Sequence, residues 1–287
     1  MIYDSLQSFL KSEKASLAKG PIGVILLEDA IEVDSTVRHH LDRQFKSLIV
    51  VGSSDIALDA TLSKQVIRVH HNMMADDALT DVMNGIIAAA SGAWVYYCYN
   101  SEYLFHPFCE SRSVGEMISF CMEERRYSVL AYVIDLYAGD LDEHPDAVSL
   151  DDAFLDKTGY YALGRKVGNN DFAERQLDFF GGLRWRFEEH VPAPRRRIDR
   201  VAMFLAKPGL SLRADHTFND PEYNTYACPW HHSMTIALCS FRTAKALKRN
   251  PGSTKQIPSF MWHKSEPFSW HSQQLMDFGL MEPGQWF

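Results

Sequence analysis

The chain begins with an amphipathic helical pattern over residues 3–18 and a Gly20-Pro21 break, after which apolar positions stop alternating and run together. IGVILLE (22–28) is the kind of unbroken run that forms a strand buried on both faces. Asp34-Ser35 offers a helix N-cap ahead of TVRHHLDRQF, and KSLIVVGSS (46–54) restores an apolar, β-branched run that ends in small residues. Strand, helix and strand in about 30 residues make a βαβ unit. The alternation continues: QVIRVHH (65–71) predicts a strand, residues 75–91 a helix, AWVYYCY (93–99) a strand, residues 113–126 a helix and SVLAYVIDLYA (128–138) a strand. Such a succession predicts an α/β fold, an open and mostly parallel sheet flanked by helices on both faces. Beyond residue 139 the pattern loosens into polar, aromatic and Gly/Pro-rich stretches, which are expected to complete a site on the same domain.

Ligands of open parallel sheets bind outside the carboxyl ends of the strands. The informative residues are therefore those that follow each run: Glu28-Asp29, Gly52-Ser53-Ser54, His71-Asn72 and Tyr99-Asn100-Ser101-Glu102.

Composition narrows the partners. A net charge of -8 over 287 residues argues against the basic surface that neutralises many phosphates, so no nucleic-acid partner is expected. No apolar run reaches the roughly 18 to 20 residues that span a bilayer, and the N-terminal stretch has no secretory pattern. The expected location is cytoplasmic, with membrane contact at most peripheral. Arg195-Arg196-Arg197 reads as a solvated loop, with an anionic lipid surface as its alternative. Five widely spaced cysteines suit reduced thiols, and Cys228-Pro-Trp-His231-His232 lacks the second ligand pair of a zinc site.

Several residues admit both a chemical and a bland role. His39 and His40 are adjacent in a predicted helix and cannot face one ligand together, so one is expected in the core and the other at the surface. Asp151, Asp152 and Asp156 supply either a base for an acceptor hydroxyl or a helix cap. Arg184-Trp185-Arg186-Phe187, after Gly181-Gly182, suits stacking on a sugar or pairing with phosphate, and equally an alternating strand with Trp185 and Phe187 inward. Pro229-Trp230-His231-His232 precedes what reads as an apolar helix, SMTIALCSFRTAKALKR, and its histidines either enter the cleft or cap that helix. Phe260, Trp262, Phe268, Trp270, Phe278 and Trp286 give the tail from residue 248 enough apolar surface to dock on the body.

The order of these motifs resembles glycosyltransferase family 2. Glu28-Asp29-Ala30-Ile31-Glu32 followed by the helix with His39-His40 looks like that family's opening, and Ser54-Asp55 like the end of its second strand. Trp94 through Pro107 is similar to a strand ending in Asp-x-Asp-Glu-Phe-Leu, with Tyr99 and Ser101 at the two Asp positions and Glu102 retained. Arg197 through Phe204, then Asp215-His216-Thr217, is similar to the family's basic strand and His segment, and the resemblance covers roughly residues 20–245.

The resemblance implies a GT-A domain over residues 1–247 with the extension 248–287 packed on it, and transfer of a sugar from a nucleotide-diphosphate donor to a hydroxyl acceptor in cell-envelope glycan or glycolipid synthesis. It places the nucleotide at Glu28, Asp29, Ser54 and Asn100, with Arg184 and Arg186 as further contacts. Glu102, Asp152 and Asp156 are the candidate catalytic groups, and Glu102, His216 and His232 the candidate ligands of manganese or magnesium. Replacement of both Asp residues leaves metal dependence open and supports a second expectation, a catalytically silent binding fold; a third is a metal-dependent hydrolase that uses the His pairs.

Overall fold

Runs of β-branched residues punctuated by small ones become strands in the computed structural model, which describes residues 1–287 apart from residues 18, 169, 170, 229, 230 and 287. Through Glu123, strands β1 (Ile2–Tyr3), β2 (Ile22–Leu26), β3 (Ser47–Gly52), β4 (Ile67–His70), β5 (Trp94–Tyr99) and β6 (Glu102–Phe105) are interspersed with helices α1 (Leu6–Leu17), α2 (Val33–Asp42), α3 (Ala60–Ser63), α4 (Ala78–Ala89) and α5 (Val114–Glu123). There follow β7 (Ser128–Ala138), β8 (Ala153–Asp156), β9 (Tyr161–Val167), β10 (Asp171–Phe180), α6 (Gly182–Arg186), β11 (Asp199–Leu205), β12 (Ile236–Ser240), α7 (Arg242–Arg249), β13 (Ser265–Pro267) and α8 (Ser272–Asp277). The fold is mixed α/β with a mostly parallel central sheet flanked by helices. The chain forms two compact units, one of residues 1–104, 111–130 and 201–224, the other of residues 105–110, 131–200 and 225–287. Segment 201–224 returns to the first unit after the chain has built much of the second.

In the first unit the strand order is β1-β4-β3-β2-β5-β11, parallel throughout except for β11, which runs antiparallel to β5. Every residue of β2 and β5 is buried, which explains their unbroken apolar runs. The chain lays β3 and then β4 on one side of β2, then crosses back to place β5 on the other. Crossovers of one hand in opposite directions put their helices on opposite faces, and α2 packs with α3 while α1 packs with α4. The direction of winding therefore reverses between β2 and β5.

Two local expectations change here. Helix α2 starts at Val33, with Glu32 rather than Asp34 or Ser35 at its N-cap in the left-handed conformation (φ 53°). The amide of Thr36 already takes the Glu32 carbonyl at 3.1 Å, and Asp34 instead accepts the amide of Asp59 at 3.0 Å. The expected split of the His pair also fails. His40 is fully buried, bonded to the Thr36 carbonyl (2.7 Å) and the Tyr96 hydroxyl (3.0 Å), while half-buried His39 reaches the Leu104 carbonyl at 2.7 Å.

The second unit pairs β7 with β12 in parallel and with β8 antiparallel, and β8 with β13, and it also holds the two-stranded sheet β9–β10. SMTIALCS, read as the start of a helix, contains β12 instead, and only Arg242–Arg249 is helical. A short apolar run cannot be assigned by period alone, and five successive buried positions suit a strand covered on both faces. The Asp151–Asp156 stretch is likewise a turn and strand β8, not a helix start. Phe260 of the tail is fully buried in a cluster with Tyr137, Leu183, Ala244, Leu247 and Ile257, and Phe268 and Trp286 are also buried. All five cysteines are buried and none is in a disulfide. Among the described residues no helix is long and apolar enough to cross a membrane.

Burial holds His40 neutral by pushing its proton affinity down from the ordinary 6.5 to about 4, and lowers that of His39 as well. The unfolded chain then binds more protons than the native one between those values, so this contribution to stability is complete above pH 6.5 and declines as pH falls toward 4. For His40 alone the loss should reach about 3 kcal/mol. Urea unfolding between pH 7 and pH 4.5 checks this, and His40→Gln should flatten the profile.

Candidate functional site

The winding reverses between β2 and β5, and the carboxyl ends of two such strands are the position at which open α/β sheets take ligands. Leu26 stands opposite Tyr99, so Glu28 and Asp29 leave β2 at the level where Asn100 leaves β5. The Asn100 side chain fastens the two ends: Oδ1 accepts the Glu28 amide (2.9 Å), and Nδ2 donates to Asp29 Oδ1 (2.6 Å) and to the Ile31 carbonyl (2.9 Å). Asp29 Oδ1 also accepts the Ile31 amide at 2.9 Å. Ser101, in the left-handed conformation (φ 61°), adds bonds from its hydroxyl to the Ile31 carbonyl and from its amide to Thr36 Oγ1, each 2.9 Å. Asn100 and Ser101 are fully buried, whereas Glu28 and Asp29 are half-buried at the rim. The structure thus brings together three of the predicted nucleotide contacts.

Gly52, at the end of β3, has a packing reason to be glycine. A Cβ there would lie 2.7 Å from the Leu27 Cβ, so the neighbouring strand ends approach closely only without it. Ser54 follows on an exposed turn.

His216 belongs to the same rim. Its Nδ1 bonds the Tyr97 hydroxyl at 2.9 Å, its ring stacks on that of Tyr97 with centroids 6.0 Å apart, and the Tyr99 ring meets it edge-on at 6.4 Å. The Tyr97–His216 pair was not legible from the sequence, because the partners lie 119 residues apart.

Glu102 does not reach the surface there. It opens β6 with no exposed surface, and its Oε2 accepts the Tyr99 amide at 2.8 Å, closing the tight turn between β5 and β6. Tyr99 and Ser101 occupy the positions where the resemblance has Asp, and among the described residues no group of three or more His, Cys, Asp or Glu side chains is placed to hold a metal ion. The residues present do not fit a carboxylate-held divalent cation. His232, the third predicted ligand, belongs to the second unit, where it is exposed and meets the Tyr226 ring edge-on at 6.1 Å. Pro229 and Trp230 beside it lie outside the described residues.

In the second unit the Arg-Trp-Arg segment is a helical turn, not a strand, and its charges point inward. Arg184 Nε lies 3.5 Å from Asp135, its amide donates to Asp135 Oδ2, and Nη1 donates to the Arg197 carbonyl at 2.6 Å. Gly182, at φ 62°, lets the chain pass so close to Asp135 that a Cβ would stand 3.0 Å from its Oδ2. Arg186 forms a fork on Asp156 at 2.8 and 3.1 Å and lies over the Trp262 ring at 4.9 Å. Asp156 is also bonded by the Tyr137 hydroxyl (2.6 Å) and Trp262 Nε1 (2.7 Å). A carboxylate so fully bonded, with 1% of its surface exposed, is a structural anchor for the tail rather than a catalytic base, and the two arginines are not phosphate contacts. Asp152 is half-buried in the turn between β7 and β8, where Oδ2 accepts the Asp140 amide at 3.2 Å.

No protein-family model matches the chain, and no curated protein sequence matches it. Among solved structures, that of residues 1–349 of TarS from S. aureus is similar in part, with 15% identity and a TM-score of 0.26 over 40% of this chain. The match covers 35% of the TarS chain, and a likeness so partial says nothing of activity.

Removing the Asp156 carboxylate would leave Arg186 buried without a counter-charge. Asp156→Ala should therefore destabilise the protein by about 3–5 kcal/mol, whereas Asp152→Ala, which removes one turn bond, should cost about 1 kcal/mol; urea denaturation separates the two.

Proposed function

We propose that the chain is a glycosyltransferase that takes a nucleotide-diphosphate sugar at the carboxyl ends of β2 and β5 and passes the sugar to a hydroxyl acceptor. One observation carries this reading: the Asn100 amide ties Glu28 and Asp29 to the end of β5 at the point where the winding reverses. That network holds the rim carboxylate of Asp29 in one place, where a base or ribose offers hydrogen-bond donors. Ser54, on the turn after the adjacent strand β3, would extend the same contact. His216, oriented by Tyr97, would stand beside the diphosphate. Because the donor set does not suit a carboxylate-held cation, the leaving charge would be met by the protein's own donors and cations.

A second reading, a catalytically silent binding fold, is favoured by the buried position of Glu102 and the absence, among the described residues, of a carboxylate group that could hold metal. It shares the nucleotide site and differs in turnover.

A panel of UDP- and GDP-sugars should raise the melting temperature with or without manganese, and Asn100→Ala should weaken the response at least tenfold, about 1.4 kcal/mol. A panel without any shift would end both readings. Release of free nucleoside diphosphate by the wild-type chain selects the enzyme, and binding without release selects the silent fold.

A further inference from the structure

At the amino ends of β3 and β4, on the rim of the sheet opposite to the one that holds Asn100, the first unit has a cavity of about 250 Å³. Its apolar walls are Leu41 at the end of α2, Phe45 on the loop that follows, Leu48 of β3, and Val66 and Ile67 where the chain enters β4. Leu48 and Val66 are buried, and the other three are half-buried. The sheet fixes these walls in place. Phe45 stacks on Tyr96 of β5, with centroids 5.2 Å and planes 21° apart, and at Gly23 of β2 a Cβ would come within 2.8 Å of the Leu48 side chain and 3.1 Å of Phe45. The hollow is therefore preformed, because the side chains that line it are already close-packed against their neighbours.

The charge around the cavity has one sign. Lys46 and Lys64 both line it, both are exposed, and among the described residues neither ammonium group has an ion pair or a hydrogen bond. No carboxylate of the described residues lines it, in a chain where Asp and Glu outnumber Lys and Arg by 37 to 29. Two like charges on one cavity repel each other, and an anion held between them relieves that repulsion. Exposed lysines alone attract an anion weakly, since water and salt screen them. Apolar walls beside them change the balance, because a ligand that covers those walls gains from leaving water while its charge meets the ammonium groups. The volume sets the size of that ligand, as pockets for larger molecules begin at roughly 300 Å³.

We propose that this cavity binds a small amphipathic carboxylate, its short alkyl chain or single ring seated on Leu41, Phe45, Leu48, Val66 and Ile67 and its carboxylate held between Lys46 and Lys64. The site shares no residue with the carboxyl ends of β2 and β5, and it stands whether or not the chain transfers sugars.

The test is titration of the full chain with hexanoate at pH 7 and constant ionic strength, with binding read by saturation-transfer NMR of the ligand, and with acetate and hexanol titrated in parallel. Hexanoate should bind with a dissociation constant on the order of 1 mM. Acetate, which lacks the apolar body, and hexanol, which lacks the charge, should each bind about tenfold more weakly. The double variant Lys46→Gln, Lys64→Gln changes two exposed positions, so it should melt as the wild type does while losing about tenfold in hexanoate affinity and leaving hexanol unchanged. Absence of hexanoate binding at 10 times the expected constant, about 10 mM, overturns the proposal. So does acetate binding as tightly as hexanoate, or a hexanoate affinity that the double variant keeps.

Discussion

Where a parallel sheet reverses its direction of winding, the two strands on either side send their chains away from each other and no connection covers their carboxyl ends. The polar groups left there need partners. In this protein Asn100 supplies them: one amide side chain accepts from Glu28 and donates to Asp29 and Ile31. Neutral and two-sided, an asparagine side chain can satisfy a donor and an acceptor at once, whereas an aspartate in the same place would set a second carboxylate against Asp29. The loop between β2 and α2 depends on that choice.

The same chemistry bears on Glu102. Tyr99, Asn100 and Ser101 make a tight turn closed from below by Glu102, whose Oε2 takes the Tyr99 amide. Glu102 is thus part of the turn's own hydrogen bonding, and its burial points to a role in holding the turn that presents Asn100.

Much of the first unit was legible in the sequence because β2, β3, β4 and β5 are short apolar runs separated by helical segments of ordinary length. That Glu28, Asp29 and Asn100 meet at the carboxyl ends of β2 and β5 was legible because each follows one of the two apolar runs. The second unit was less so. SMTIALCS carries no period that separates a buried strand from a buried helix, and the mix of cations and aromatics in Arg-Trp-Arg-Phe fits ligand contacts and an alternating strand with Trp185 and Phe187 inward equally well. What decides it is a pair of buried carboxylates, Asp135 and Asp156, which lie far from the arginines along the chain and draw both guanidinium groups inside. Trp185, between them, is left 40% exposed.

Arg184, Arg186 and Arg68 show why a count of arginines says little about anion binding until their partners are known. Each of the first two faces a buried carboxylate, Arg184 at 3.5 Å from Asp135 and Arg186 in a fork on Asp156, so an incoming phosphate would have to displace an anion already in place. Arg68 has only carbonyl oxygens, which solvate a cation without neutralising it. The same residue type in the same protein is therefore spent on internal structure in one place and left with unmatched charge in another. The difference is set by whether a carboxylate from elsewhere in the chain arrives at the same depth.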